Sequence, residues 1–250
     1  KVIYKPRSVR LEKDFFNLLI WFNESKENSL PFKTLSVIDK RQYGWVEFCE
    51  HEEAQTPLDV EYFYYRLGAL SAIIYGLHGV DIFFENVIAC RDQPIIVDLE
   101  TLLHTDLELK EAADVNEAAD FSLRDSILSM GIFPKPSLSA SGQSVFCVSV
   151  VGAKQDLEAP YSVTQLENFG RSDMRLNSVP GWIPEAKSSP KRFLERKSIV
   201  ENISRGFCQA YEIIGNSKSE FLAPGGILDR MRNTRSRVIV RDTIYYGGLE

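Results

Sequence analysis

Leu11, Phe15, Leu18 and Phe22 recur at steps of four, three and four residues, the spacing that stacks side chains along one face of an α-helix. "LEKDFFNLLIWFNES" is therefore expected to be an amphipathic helix. Ahead of it, "KVIYKP" alternates apolar and polar positions and stops at Pro6, a strand pattern. Thr56, Pro57 and Asp59 make a second helix start: a hydroxyl cap, a proline in the first turn and an acid near the positive end. Phe63, Leu67, Leu70, Ile74 and Leu77 form that helix's apolar stripe, and much of its other surface is apolar too, so it should be heavily buried. "NVIAC" and "PIIVDLE", split by "RDQ", read as a hairpin. Helical spacing returns at Val200, Ile203, Phe207, Ala210 and Ile214, and "SRVIVRDTIYY" has the alternation and composition of a strand. Between these lie an acidic run at 104–120, expected as a solvated helix or a mobile loop, and a Pro-, Ser- and Gly-rich stretch at 134–195. The second stretch is expected to hold long loops with a few short strands such as "SVFCVSVV". No internal repeat or low-complexity tract interrupts the pattern. The elements add up to an α+β fold.

Composition narrows the functional classes. In 250 residues, 44% hydrophobic and 11% aromatic, there is material for a sizeable core in one large domain or two small ones. A net charge of −6 argues against a general nucleic-acid binder. Cys49, Cys90, Cys147 and Cys208 are far apart and form no C-x-x-C pair, so no zinc site is expected from this chain, and free thiols suit a cytoplasmic protein. No apolar run approaches the roughly 18 residues of a membrane span, and no signal peptide is visible. The ends, "KVIYKPR" without an initiator Met and "YYGGLE" just after a patterned segment, suggest a piece of a longer protein.

The candidate chemistry sits in "GVDIFFENVIACRDQPIIVDLETL". Asp81 opens the loop after the buried helix, Asn86 begins the hairpin and Asp98 ends it. A hairpin brings its ends together, so two carboxylates and an amide oxygen should converge. Hard oxygen donors of this kind suit Mg²⁺, which takes one or two carboxylates together with phosphate oxygens and water. The D-x-x-x-x-N step from Asp81 to Asn86, followed by a hairpin and an Asp, is the protein-kinase catalytic-loop pattern. Asp81 would then orient or deprotonate a substrate hydroxyl, and Asn86 and Asp98 would hold Mg²⁺ on the phosphates of ATP. Lys5, on the first strand, fits the phosphate-binding lysine. Taken singly, each residue has an ordinary reading, a turn or cap residue for Asp81 and Asn86 and a surface lysine for Lys5. Only the joint pattern points to phosphoryl transfer, and "DLE" in place of "DFG" counts against an ordinary protein kinase.

The same residues resemble the dehydratase domain of class II lanthipeptide synthetases, the LanM enzymes. "VIYKPRSV" is similar to that family's YKPR segment, and "YGWVEF" to its aromatic stretch ahead of the buried helix. "DIFFENVIA…QPIIVDLETL" resembles its D-x-H-x-E-N-x-I…P-x-x-x-D-x-E-T block. "DSILSMGIFP", "SRGFCQAY" and "RVIVRDTIYY" follow in the family's order. The resemblance implies a kinase-like fold, with 1–57 ending an N-lobe-like part and 58–250 forming a C-lobe-like part. It implies phosphorylation of Ser or Thr in a precursor peptide with ATP and Mg²⁺, then elimination of the phosphate to dehydroalanine or dehydrobutyrine. Lys5, Asp81, Asn86 and Asp98 match positions that serve phosphorylation. Arg237 and Thr243 match positions that serve elimination, and Glu100 is a family-motif residue with a supporting role near the metal; Arg241 is a supporting residue by its spacing from Arg237. A guanidinium fork beside a departing phosphate makes physical sense of Arg237. Arg237, Arg241 and Thr243 would share one face of a strand, yet six residues of strand span about 20 Å, so sharing one phosphate requires a bend.

Two departures accompany the resemblance. The family's His two residues after the Asp is Phe83 here. His78, three residues before Asp81, is a spatial substitute or a packed residue at a helix end. The family's Asp/His pair upstream of the YKPR segment, and its zinc-dependent cyclase domain, are expected in parts of a longer chain. Phe83 keeps two other readings open, a kinase-like transferase without elimination and a non-catalytic module that grips the peptide. The basic run "RMRNTRSRVIVR" reads otherwise as a solvated edge.

Overall fold

The computed structural model describes residues 1–105, 126–134, 137–138, 145–152, 157–183, 186–192 and 194–239. Helix α1 (Arg10–Glu24) buries Leu11, Phe15, Phe16, Leu18, Leu19 and Phe22, the face its spacing predicts, together with Glu12 and Asp14. Beside it lies an antiparallel sheet of β1 (Val2–Lys5), β2 (Val37–Asp39) and β3 (Gly44–Glu47), in the order β1-β3-β2. Lys5 ends β1 opposite Gly44.

Helix α2 (Pro57–Gly76) starts where Thr56 and Asp59 form a reciprocal capping box, satisfying backbone donors that the first turn otherwise leaves unpaired. Every residue from 65 to 74 is buried. Arg66 is among them: its guanidinium donates to Pro31 O at 2.9 Å and reaches Asp92 Oδ2 at 2.8 Å. It thereby pins the turn of the hairpin β4 (Val87–Cys90) and β5 (Gln93–Ile96). That turn is Arg91 and Asp92, with Arg91 left-handed (φ 58°), so Gln93 of the expected "RDQ" turn belongs to β5. Strand β5 stops at Ile96, two residues short of Asp98.

Helix α3 (Arg196–Asn216) crosses α2 at close range. A Cβ on Gly68 would lie 2.0 Å from Ile203 O, and one on Gly206 1.8 Å from Tyr65 O. Backbone meets backbone there, and only glycine permits it. Two short helices, α4 (Lys218–Phe221) and α5 (Ile227–Met231), return the chain to α1, where Phe221 packs edge-on against Trp21.

Two expectations are corrected. The 134–195 stretch contains β6 (Ser137–Leu138) and β7 (Val145–Phe146) as short strands, but also a long ribbon, β8 (Leu157–Glu167) with β9 (Arg175–Ile183). The described part of "SRVIVRDTIYY", residues 236–239, is not a strand: its polar groups bond to other segments, as detailed below. The rest of that segment, and 106–120 of the acidic run, lie outside the described residues. The architecture is mixed helix and sheet, as expected. Among the described residues no helix is long and apolar enough to cross a membrane.

Candidate active site

Three segments lie side by side beyond the end of α2. The first is 77–81, where His78 (φ 49°) and Asp81 (φ 63°) both take left-handed backbone, a conformation uncommon outside glycine that tends to mark functional loops. The second is 98–104. Leu103 N donates to Leu77 O at 2.8 Å, His104 N to His78 O at 3.1 Å, and Thr101 Oγ1 to Val80 O at 2.5 Å. The third is 236–239: Arg237 N donates to Glu100 O at 2.7 Å, Ser236 Oγ to Leu102 O at 2.5 Å, and Ile239 N to His104 Nε2 at 3.0 Å. These bonds replace a strand ladder and fix Arg237 beside Glu100.

The hairpin does bring its ends together. Val97 N donates to Asn86 O at 2.9 Å, and Asn86 Nδ2 donates to Asp81 O at 2.7 Å. Beyond β5, Leu99 and Leu102 are fully buried. Their anchoring leaves Asp98 and Glu100, on either side of Leu99, facing a cluster of cations.

Lys5 Nζ donates to Val97 O at 2.8 Å, and stands 3.8 Å from Asp98 Oδ1 and 3.5 Å from Glu12 Oε1. Arg7 is the hub. Its Nη2 meets Glu12 Oε1 at 2.7 Å and Asp98 Oδ1 at 2.9 Å, and its Nε meets Glu100 Oε2 at 2.9 Å. Arg237 Nη1 takes the other oxygen of Glu100 at 2.6 Å. Lys5, Arg7 and Arg237 thus interleave with Glu12, Asp98 and Glu100. Burial works to lower the Arg7 pKa, but its hydrogen bond to Glu12 and the charges of Glu12, Asp98 and Glu100 raise it on balance. The Arg237 pKa is raised too, by its hydrogen bond to Glu100 first and by Glu100's charge, with smaller help from Asp81 and Asp98. Asp81 therefore shares the field of the cluster.

Asn86 and Asp98 supply an amide and a carboxylate on adjacent hairpin ends. Among the described residues all Asp98 partners sit on Oδ1, leaving Oδ2 unengaged. Such hard oxygen donors fit Mg²⁺, which is usually held by one or two protein ligands and substrate phosphates. No group of three or more His, Cys, Asp or Glu side chains is placed to hold a metal among the described residues.

Phe83 occupies the position of the family's His. Its ring lies over Gly131, whose φ of 86° and lack of a Cβ make room for it: a Cβ there would sit 2.9 Å from Phe83 Cε1. The residue is thus packed into the loop's support. His78 Nδ1 is bonded to His104 O at 2.6 Å, which ties it to the backbone of the second segment. Arg241 and Thr243 lie outside the described residues.

Sequence reasoning missed Arg7 and Glu12. Arg7 was legible only as part of "YKPR". Glu12 carried a signal: it stands on the stripe with Phe15, Phe16 and Leu19, where an acid has no ordinary reason to be. Its side chain is 1% exposed, and its Oε2 is buried without a hydrogen-bond partner among the described residues.

Comparison with known proteins agrees with the resemblance seen in the motifs. The domain family described as "Domain of unknown function (DUF4135)" matches residues 1–249. The chain is also similar to the lacticin 481/lactococcin biosynthesis protein LcnDR2 of Lactococcus lactis subsp. lactis. The two are 26% identical over 269 aligned residues, which cover 100% of this chain and 28% of LcnDR2. The chain therefore spans a little over a quarter of that relative's length.

Proposed function

This chain belongs to the DUF4135 family and is related to the LanM-type lanthipeptide synthetases, and from that premise we propose that it acts in lanthipeptide biosynthesis as the dehydratase. Its reading is a kinase-like core that phosphorylates Ser or Thr of a precursor peptide and then eliminates the phosphate. One observation carries this most directly. Lys5, from the first strand, reaches the open end of the hairpin, bonding Val97 O and standing 3.8 Å from Asp98, while also pairing with Glu12 of the next helix. A strand lysine paired to a helix glutamate and facing a hairpin-end aspartate is the arrangement protein kinases use.

In the first step Asp81 accepts or orients the hydroxyl proton, the hydroxyl oxygen bonds to the γ-phosphorus of ATP, and the bond to the β-phosphate oxygen breaks to release ADP. Lys5 pairs with phosphate oxygens. Asn86 and Asp98 would hold Mg²⁺, which supplies charge neutralisation on those phosphates. In the second step a base removes the Cα proton, the Cβ–O bond breaks, and phosphate departs with the electron pair. Arg237 stabilises the departing dianion as a guanidinium fork does; Thr243 shares that role on the family resemblance, with Arg241 in support. The peptide loses one water per modified residue, and ATP becomes ADP and phosphate.

The test is mass spectrometry of a precursor peptide incubated with the full-length protein, ATP and Mg²⁺. Dehydrated products are expected. Asp98→Asn should abolish them and weaken Mg²⁺-ATP binding, while Arg237→Ala should accumulate phosphopeptide. No ATP-dependent change of peptide mass, with nucleotide binding indifferent to Asp98→Asn, would refute the reading. Phe83, packed on Gly131 where the family has an imidazole, favours a second reading in which elimination is lost. That reading predicts stable phosphopeptide from the unaltered protein.

A further inference from the structure

An open cavity of about 900 Å³ lies between the start of α1, the β2–β3 turn and the 230–237 segment. Six arginines line it: Arg7, Arg10, Arg41, Arg230, Arg235 and Arg237. Against them stand two carboxylates, Asp39 and Glu100. Glu100 is already shared by Arg7 and Arg237. Asp39 accepts from Ser8 Oγ and Val9 N at 3.2 Å each, and from the Arg41 backbone N at 3.3 Å, so it holds the turn rather than a guanidinium. Arg10 pairs with Asp14 at 2.7 Å, outside the lining, and Arg230 Nε meets the carbonyl of Gly225 at 3.3 Å. Among the described residues, no carboxylate pairs with Arg41 or Arg235.

This excess of positive charge stands out on a chain whose net charge is −6. Guanidinium forks match phosphate oxygens two at a time, and a concave basic wall concentrates anions. The volume suits a side chain with flanking peptide rather than a bare ion. Arg7, Glu100 and Arg237 belong both to the cavity wall and to the ion cluster, so the cavity opens directly onto the residues of the proposed chemistry.

We propose that this cavity binds the phosphorylated serine or threonine of the peptide, with its flanking residues, and holds it between phosphoryl transfer and elimination, with Arg41 and Arg235 as binding residues. The inference rests on the two-step reading above. It gives the intermediate a place to stay while ADP leaves.

The experiment uses the full-length protein and a fluorescent phosphoserine peptide with its unphosphorylated twin, followed by anisotropy. Wild type should bind the phosphorylated form about tenfold or more tightly than the twin, as a charge-assisted pair lost or gained implies. The double variant R41Q/R235Q should lose about tenfold in phosphopeptide affinity, keep Mg²⁺-ATP affinity and keep its urea midpoint. In turnover it should release phosphopeptide to solution. Both arginines are exposed, so folding should survive. Equal affinity for the two peptides, an unaffected double variant, or a single-stranded oligonucleotide that competes as well as the phosphopeptide would each overturn the proposal. Failure of the two-step reading looks different: Mg²⁺-ATP binding would then ignore Asp98→Asn, whatever the peptides do.

Discussion

Replacing Arg7 should expose how the cluster is held. Glu12 is 1% exposed, and its strongest contact is Arg7 at 2.7 Å, with Lys5 at 3.5 Å on the same oxygen. Removing one partner of a buried pair costs roughly 3–5 kcal/mol because the other charge is stranded. Arg7 is itself 30% exposed and Lys5 remains, so Arg7→Met is expected at the lower edge, about 2–3 kcal/mol. Methionine keeps the apolar stem, so the loss reports charge and not packing. Glu12→Gln should cost less, about 1 kcal/mol, because Arg7 retains Asp98 and Glu100. In the double variant no charge is stranded at position 12, and about 1–2 kcal/mol of the summed loss should return. The assay is urea unfolding followed by tryptophan fluorescence, read as midpoints at constant slope. A cycle additive within about 0.5 kcal/mol would refute the coupling of Arg7 to Glu12.

Gly206→Ala should destabilise by about 2–3 kcal/mol although alanine favours helix, since its Cβ would stand 1.8 Å from Tyr65 O and the two helices would have to part; stability at or above wild type in the same urea assay would refute the close crossing. Cys49 should alkylate slowly below alkaline pH, because burial first, and the neighbouring Cys90 second, push its pKa from 9.0 to about 11. A thiol raised in the folded state leaves stability intact below the unfolded value and erodes it as pH rises from about 9 towards 11. Rates measured against pH by mass spectrometry check this; a Cys49 midpoint at or below 9.0 would contradict it.

What the sequence made legible follows from how local each cause is. The start of helix α2 was readable to the residue because Thr56, Pro57 and Asp59 act within one turn. The nearness of Asn86 to the segment of Asp98 was readable because one short hairpin brings its two ends together, Val97 N bonding to Asn86 O. Arg7 was not, since its partners Asp98 and Glu100 lie more than ninety positions away. The β8–β9 ribbon was missed for another reason. Both strands are edges, Pro160 and Pro180 sit inside them, and residues 164–166 and 175–178 are all exposed, so no inward face imposes alternation on that part of the ribbon. In the opposite direction, Val238 and Ile239 have strand propensity, but Arg237 N and Ile239 N bond to Glu100 O and to His104 Nε2. Propensity yielded to tertiary partners there.

The six-membered ion cluster contains two kinds of carboxylate. Glu12 lies inside α1 with its side chain 1% exposed, whereas the side chain of Asp98 is 38% exposed at the hairpin end. Lys5 and Arg7 each touch both. On the proposed reading, phosphate oxygens must take contacts from Lys5 while Asp98 turns towards the cation it would hold. That exchange leaves Lys5 and Arg7 without Asp98; Arg7 keeps Glu100, and a carboxylate that cannot rotate into water keeps Lys5 in place meanwhile. Glu12 meets that requirement because the helix buries it among Leu11, Phe15 and Phe16. The division explains why a charged residue is tolerated on an apolar helix face: it orients Lys5 and Arg7 while the more exposed Asp98 changes partners. It also separates the effects of two substitutions. Glu12→Gln should leave the Asp98 donor intact, so its first consequence is mispositioned lysine and a raised KM for ATP, whereas Asp98→Asn removes the donor and should act on kcat as well.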